Sequence, residues 1–113
     1  MKKLLVAVFS LALSTSFAQK GDIAVADPSK KVEKVEVSCG QCQFGMKTKK
    51  GCDLAVRIDG KSYFVDGTSI DKHGDAHEDE GFCNAVREAE VQGEIVKDRY
   101  HVTYFKLLPA KKN

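Results

Sequence analysis

Proline is missing from the whole stretch between Pro28 and Pro109, and no run of apolar residues after the first thirteen positions is long. A membrane-crossing helix needs about 20 such residues, so no segment of the later chain reads as one. Charge of one sign is also lacking. The formal net charge is +2, and without Lys2 and Lys3 sixteen basic residues face sixteen acidic ones. A neutral domain has no electrostatic footprint for nucleic acid. No Ser/His/Asp set, phosphate-binding loop or paired-carboxylate motif stands out, so no hydrolytic chemistry is suggested and no enzyme is expected.

The start of the chain has the layout of an export signal. Met1-Lys2-Lys3 is positive, Leu4 to Leu13 is apolar, and Ser16-Phe17-Ala18 is a small-x-small cleavage site before Gln19. Residues 1–18 are therefore expected to be a signal peptide and the mature protein periplasmic or secreted, with no membrane association after cleavage. Residues 19–30 read as an N-terminal lead, 31–108 as one cysteine-containing domain, and 109–113 as a tail. A chain this short buries a modest core and is often stapled by disulfides or metal.

Within the domain, Val35 and Val37 alternate in a first strand. Leu54, Val56 and Ile58 share one face of a second strand, Asp59-Gly60 is a hairpin turn, and Tyr63 and Val65 alternate on the return. Residues 67–80 are polar and loop-like. Phe82, Ala85, Val86 and Ala89 fall at i, i+3, i+4 and i+7, which predicts a short helix over about 80–89. Val91 to Ile95, a turn at Lys97-Asp98, and Arg99 to Leu108 make two more strands. Three strands, a helix and two strands give a mostly β fold with one short helix: a small OB-like five-stranded barrel.

The chemistry-bearing residues are few. Cys39, Cys42, Cys52 and Cys83 allow three disulfide pairings, and export makes a disulfide framework the default. If the first two strands pair antiparallel, Cys39 and Cys52 become neighbours and Cys42 joins them. Cys83 joins only if its segment caps the same barrel end. Four converging thiolates also describe a tetrahedral metal site. Cys39-Gly-Gln-Cys42 is half of a zinc-knuckle spacing whose second half is missing. Met46 is either a soft ligand favouring copper(I) or, at about twice the weight, a core plug. A thioredoxin-like use of Cys39 and Cys42 is disfavoured because Gly45, a basic run and Gly51 follow where a helix would be needed. Gln43 stands where a c-type haem motif needs His.

Residues 71–80, Asp-Lys-His-Gly-Asp-Ala-His-Glu-Asp-Glu, carry two further metal-ligand candidates. His73 and His77 are spaced i, i+4, as on a zinc-binding helix, although Gly74 weakens the helix. A calcium loop fails because Ala76 and Phe82 occupy the positions of its Gly and closing Glu. A solvated loop carries about equal weight. The lone strand residue His101 reads as structural.

The set Cys39-Gly-Gln-Cys-Gln-Phe-Gly-Met46, Gly51-Cys-Asp-Leu-Ala-Val56, Asp75-Ala-His77 and Gly81-Phe-Cys-Asn-Ala85 resembles a family of small exported bacterial proteins of unknown function. The resemblance covers roughly residues 32–108 and implies one constellation of the four cysteines, with no activity attached. The function expected is binding of a transition metal, zinc or copper, by Cys39, Cys42, Cys52 and Cys83 with His73 or His77. The rival is a disulfide-stapled OB-like module that binds a small molecule, glycan or extracytoplasmic protein partner without metal. A thiol–disulfide oxidoreductase is the weakest of the three.

Overall fold

Alternation of apolar residues sets the strands of this protein, and a computed structural model describes residues 25–110 of it. The expected signal peptide and the first part of the expected lead lie outside the described residues. Strand β1 (Glu33–Cys39) turns Val35, Val37 and Cys39 inward. A single turn of helix, α1 (Gly40–Gln43), follows directly. Strands β2 (Leu54–Ile58) and β3 (Lys61–Asp66) form the hairpin read at Asp59-Gly60. Both turn residues have positive φ, 50° and 80°. That is what the tightest two-residue hairpins require, and it is why Gly stands second. A longer hairpin joins β4 (Arg87–Val96) to β5 (Arg99–Leu107) through Lys97 and Asp98, also both at positive φ.

The strands close in the order β1-β2-β3-β5-β4, with β4 returning to β1. All pairs are antiparallel except β3 with β5, which run parallel. This is the OB-like five-stranded barrel expected from the order of elements. Closure gives every strand a paired neighbour on both sides. At the bulge between Gln92 and Gly93 the β4 ladder shifts register. A side chain at Gly93 would run into the carbonyl oxygen of His101, so the bulge needs glycine. Phe105, Val37, Val56 and Val91 are fully buried in the barrel.

The helix is displaced from its predicted place. The periodic stretch 80–89 is not helical: Gly81 O accepts the N–H groups of Asn84 and Ala85, and the turn then stops. Its acceptors are taken elsewhere. Phe82 O accepts the Cys39 N–H (3.0 Å), and the Ser38 Oγ lies 2.7 Å from both Phe82 O and Ala85 O. A helix would need those carbonyls for its own ladder. Ala89 instead joins β4 opposite Val35. Between β3 and β4 the chain makes only a 3-10 turn, Ile70–His73, before this cap. Ile70, Ala76 and Phe82 enter the barrel core from the cap.

Two polar devices stitch the barrel. Gln92 is 3% exposed yet fully engaged. It accepts from Asp27 N–H and donates to the Asp27 and Lys30 carbonyls, each at 2.8 Å, so it ties the chain before β1 to β4. Asp66 receives Arg99 through Nε (2.9 Å) and Nη2 (2.8 Å) and lies 3.1 Å from His101 Nε2, across the parallel β3–β5 contact. The Arg99 hydrogen bonds hold the Asp66 carboxyl below its ordinary pKa. A depressed carboxylate stabilises the fold above its unfolded pKa, about 4, and loses that contribution as pH falls through the folded value. The site is about one-third exposed, so the contribution is screened and no more than about 1 kcal/mol. Asp66→Asn should lower stability by that amount at pH 7 and by much less at pH 3, as urea unfolding at the two pH values will show.

Candidate metal centre

The barrel brings three separate segments to one end. Antiparallel pairing of Cys39 with Leu54 sets the end of β1 beside the residues leading into β2, which include Cys52. Helix α1 carries Cys42 back over that point. The cap brings Cys83, because Phe82 is buried beside the core and its carbonyl is hydrogen-bonded to Cys39 N–H. The four sulfurs all lie within 4.8 Å of one another. Cys52 is the hub: its Sγ is 3.3 Å from Cys39, 3.5 Å from Cys42 and 3.3 Å from Cys83.

These separations fit a shared ion. A disulfide needs about 2.05 Å between sulfurs, and no two of the four stand at that distance. Four thiolates at about 2.3 Å from a tetrahedral zinc stand about 3.8 Å apart, close to what the hub shows. A set of four sulfurs with no carboxylate among them suits zinc or copper and disfavours hard cations.

The first half of the cluster is locally built. Cys39 is extended at φ −65°, ψ 119°, and its sulfur caps α1 by accepting the Cys42 N–H at 3.3 Å. This is the turn that Cys-x-x-Cys spacing allows. Around it, Gln41 clamps the loop to the start of β2: its Oε1 accepts from Asp53 N–H (2.9 Å) and its Nε2 donates to Asp53 Oδ2 (2.7 Å). Gln43 Nε2 donates to the Cys83 carbonyl at 2.8 Å and so joins α1 to the cap. Neither glutamine is assigned a role from the sequence, although both flank Cys42 and that adjacency to a ligand candidate could have pointed to one. Ser38 and Phe82 gave no such signal, since their contacts are made only when the cap folds onto β1.

Ionisation within the cluster is uneven. Burial opposes charge on Cys39, but hydrogen bonds with the Cys42 side chain and backbone, the Cys52 side chain and the Gln41 backbone outweigh it and bring its pKa below the ordinary value. Cys42 is pushed up to about 12, first by its hydrogen bond with Cys39 and then by that with Cys52. Cys52 is pushed up to about 11 by its contacts with Cys39 and Cys83. Burial, first of all, raises Cys83. Cys39 is therefore the first of the four to ionise, and its hydrogen bonds and charge resist ionisation of Cys42 and Cys52. A thiophilic cation reverses that resistance, because it supplies the positive charge that all four sulfurs then share.

The two histidines go elsewhere. His73 ends the 3-10 turn with its Nε2 2.8 Å from Thr68 Oγ1 and its ring 4.4 Å from that of Phe105, so it packs at the barrel end. Gly74, at φ 99°, then redirects the chain. His77 has a side chain 81% exposed, beside Asp75. Neither belongs to the group formed by the four cysteines. Met46 is half-buried, and its sulfur lies beside Gly40 together with the Phe64 ring and the Ala55 methyl.

Gly40 has no room for a side chain. A methyl there would lie 2.7 Å from the Phe64 ring, 2.8 Å from Met46 Sδ and 3.0 Å from the Ala55 methyl. Gly40→Ala should cost about 1–3 kcal/mol by overpacking and displace α1. Met46→Ala in the same chain should recover part of that loss, since the thioether is the most mobile of the three obstacles. Denaturant unfolding of the single and double variants checks this.

No helix among the described residues is long and apolar enough to cross a membrane. No curated protein and no solved structure matches the chain. Residues 33–108, which span the whole barrel and all four cysteines, match the model described as a family of unknown function, DUF6370, and the chain belongs to that family.

Proposed function

We propose that this is an exported domain that binds one thiophilic transition-metal ion, zinc or copper, through Cys39, Cys42, Cys52 and Cys83. The observation that carries the reading is the convergence of four sulfurs, from three chain segments, to within 4.8 Å of one another. Stapling alone needs sulfurs in pairs, whereas here one sulfur sits at similar distance from three others. The N–H group directed at Cys39 adds a donor that favours thiolate there. Export rests on the leader-like first eighteen residues. The role proposed is binding rather than catalysis, with a metal ion as the first partner.

The test is native mass spectrometry of protein recovered from the periplasm without chelator, followed by the denatured mass of the same sample. The expected result is one bound ion, released on denaturation with free thiols. A Cys39→Ser/Cys42→Ser variant should lose the ion. An ion retained after removal of all four cysteines would overturn the ligand set. An ion-free mass, lighter by the hydrogens of two disulfides, would favour the rival stapled barrel that binds an extracytoplasmic partner.

A further inference from the structure

The protein encloses the four cysteines unequally. Cys39 is completely buried, Cys83 is intermediate, and Cys42 and Cys52 are exposed. The exposure follows the fold. Cys39 is the last residue of a barrel strand and its sulfur is held from behind by the Cys42 N–H. Cys42 and Cys52 lie on the β1–β2 connection. The cysteines thus grade from one buried and anchored residue to two exposed ones. The sulfurs of these two exposed residues are 3.5 Å apart, close enough for one approaching pair of thiols to meet both.

We propose that the centre is a transfer site, which passes its ion to or from a partner presenting two thiolates, with Cys42 and Cys52 exchanged first and Cys39 releasing last. The inference rests on the metal reading above and assigns the kind of partner. The step is ligand substitution without a change of oxidation state. A partner sulfur forms a bond to the ion as the bond to Cys42 breaks, and the proton that the incoming thiol gives up is taken by the departing Cys42 sulfur. A second exchange at Cys52 leaves the ion shared between the partner pair and the inner cysteines. Water molecules or further ligands of the partner then replace Cys83 and finally Cys39, whose sulfurs take up protons from solvent, and the transfer is complete. Because the incoming ligand enters before the old one is lost, the ion is never free in solution.

The experiment uses the full exported protein loaded with zinc(II), whose stoichiometry is first established by native mass. A short peptide with two cysteines serves as acceptor under anaerobic conditions. The expected result is zinc transfer at a rate that rises in proportion to peptide concentration, and that exceeds release to excess carboxylate chelator by tenfold or more. Brief alkylation during the reaction should label Cys42 and Cys52 ahead of Cys39. A rate independent of peptide concentration, or equal labelling of all four cysteines, would mean that the ion leaves only when the site opens as a whole, and would overturn the transfer role while leaving metal binding intact. Absence of zinc from the starting mass, together with absence of copper after parallel loading with copper(I), would bring down the metal reading and the transfer role together.

Discussion

Phe82→Ala is expected to lower the stability of the metal-free, reduced domain by about 3–5 kcal/mol, the usual loss when a buried Phe is truncated. Small domains hold only about 5–15 kcal/mol in all, so the variant should be close to unfolding at moderate urea. Phe82 is 2% exposed and belongs to the barrel core although it lies on the connection between β3 and β4. In the predicted arrangement a helix would cover this barrel opening. In the structure one aromatic ring, set edge-on to His73 at 6.1 Å, does so together with Ile70 and Ala76. Its backbone carries a second load, since Phe82 O accepts from Cys39 N–H and lies 2.7 Å from Ser38 Oγ. Loss of the ring should therefore loosen the cap and with it the position of Cys83, so zinc affinity should fall alongside stability. Val86→Ala is the control, because Val86 is 41% exposed and should change stability by no more than about 0.5 kcal/mol. A loss below 1 kcal/mol at Phe82 would show that the cap is not part of the cooperative core.

The same region marks where the sequence was legible and where it was not. Strand residues announce themselves through alternation, and Asp59-Gly60 through turn chemistry, so the barrel could be read. The meeting of Cys39 with Cys52 followed from antiparallel pairing of β1 and β2, a local consequence of the hairpin-like order. The apparent helix at 80–89 failed for a non-local reason. Phe82 and Ala89 are both buried, but one plugs the barrel end and the other sits in a strand, so burial imitates a helical period without a helix. Conversely, α1 is too short to give any period, and its turn is set by a sulfur accepting a backbone N–H. The i, i+4 spacing of His73 and His77 likewise presumes a helix that Gly74 interrupts. Periodicity reports the environment of each residue, and it reports secondary structure only where one element supplies that environment.

Saturation with zinc is expected to raise the melting temperature of the reduced domain by about 15–30 °C. An ion held at a thousandfold over its dissociation constant stabilises the state that binds it by about 4.1 kcal/mol. In a domain of this size each kcal/mol is worth about 4–8 °C. The physical basis is that the ion would join β1, the β1–β2 connection and the cap, segments otherwise held at this end by Phe82 and the hydrogen bonds of Ser38, Gln41 and Gln43. The four ligands should not contribute equally. Cys39 is fully buried and its sulfur already receives the Cys42 N–H, so a weaker oxygen ligand there cannot be replaced from solvent. Cys39→Ser should abolish the zinc-dependent rise. Cys42 is exposed, and a water or buffer ligand can take its place, so Cys42→Ser should keep part of the rise with weaker affinity. Each variant is its own reference, because melting with zinc is compared with melting in chelator under reducing conditions, which cancels any cost of the substitution to the metal-free fold. Equal losses at Cys39 and Cys42 would mean that burial does not rank these ligands. The order of release proposed for the transfer site would then have no basis, since it draws on the same difference in exposure.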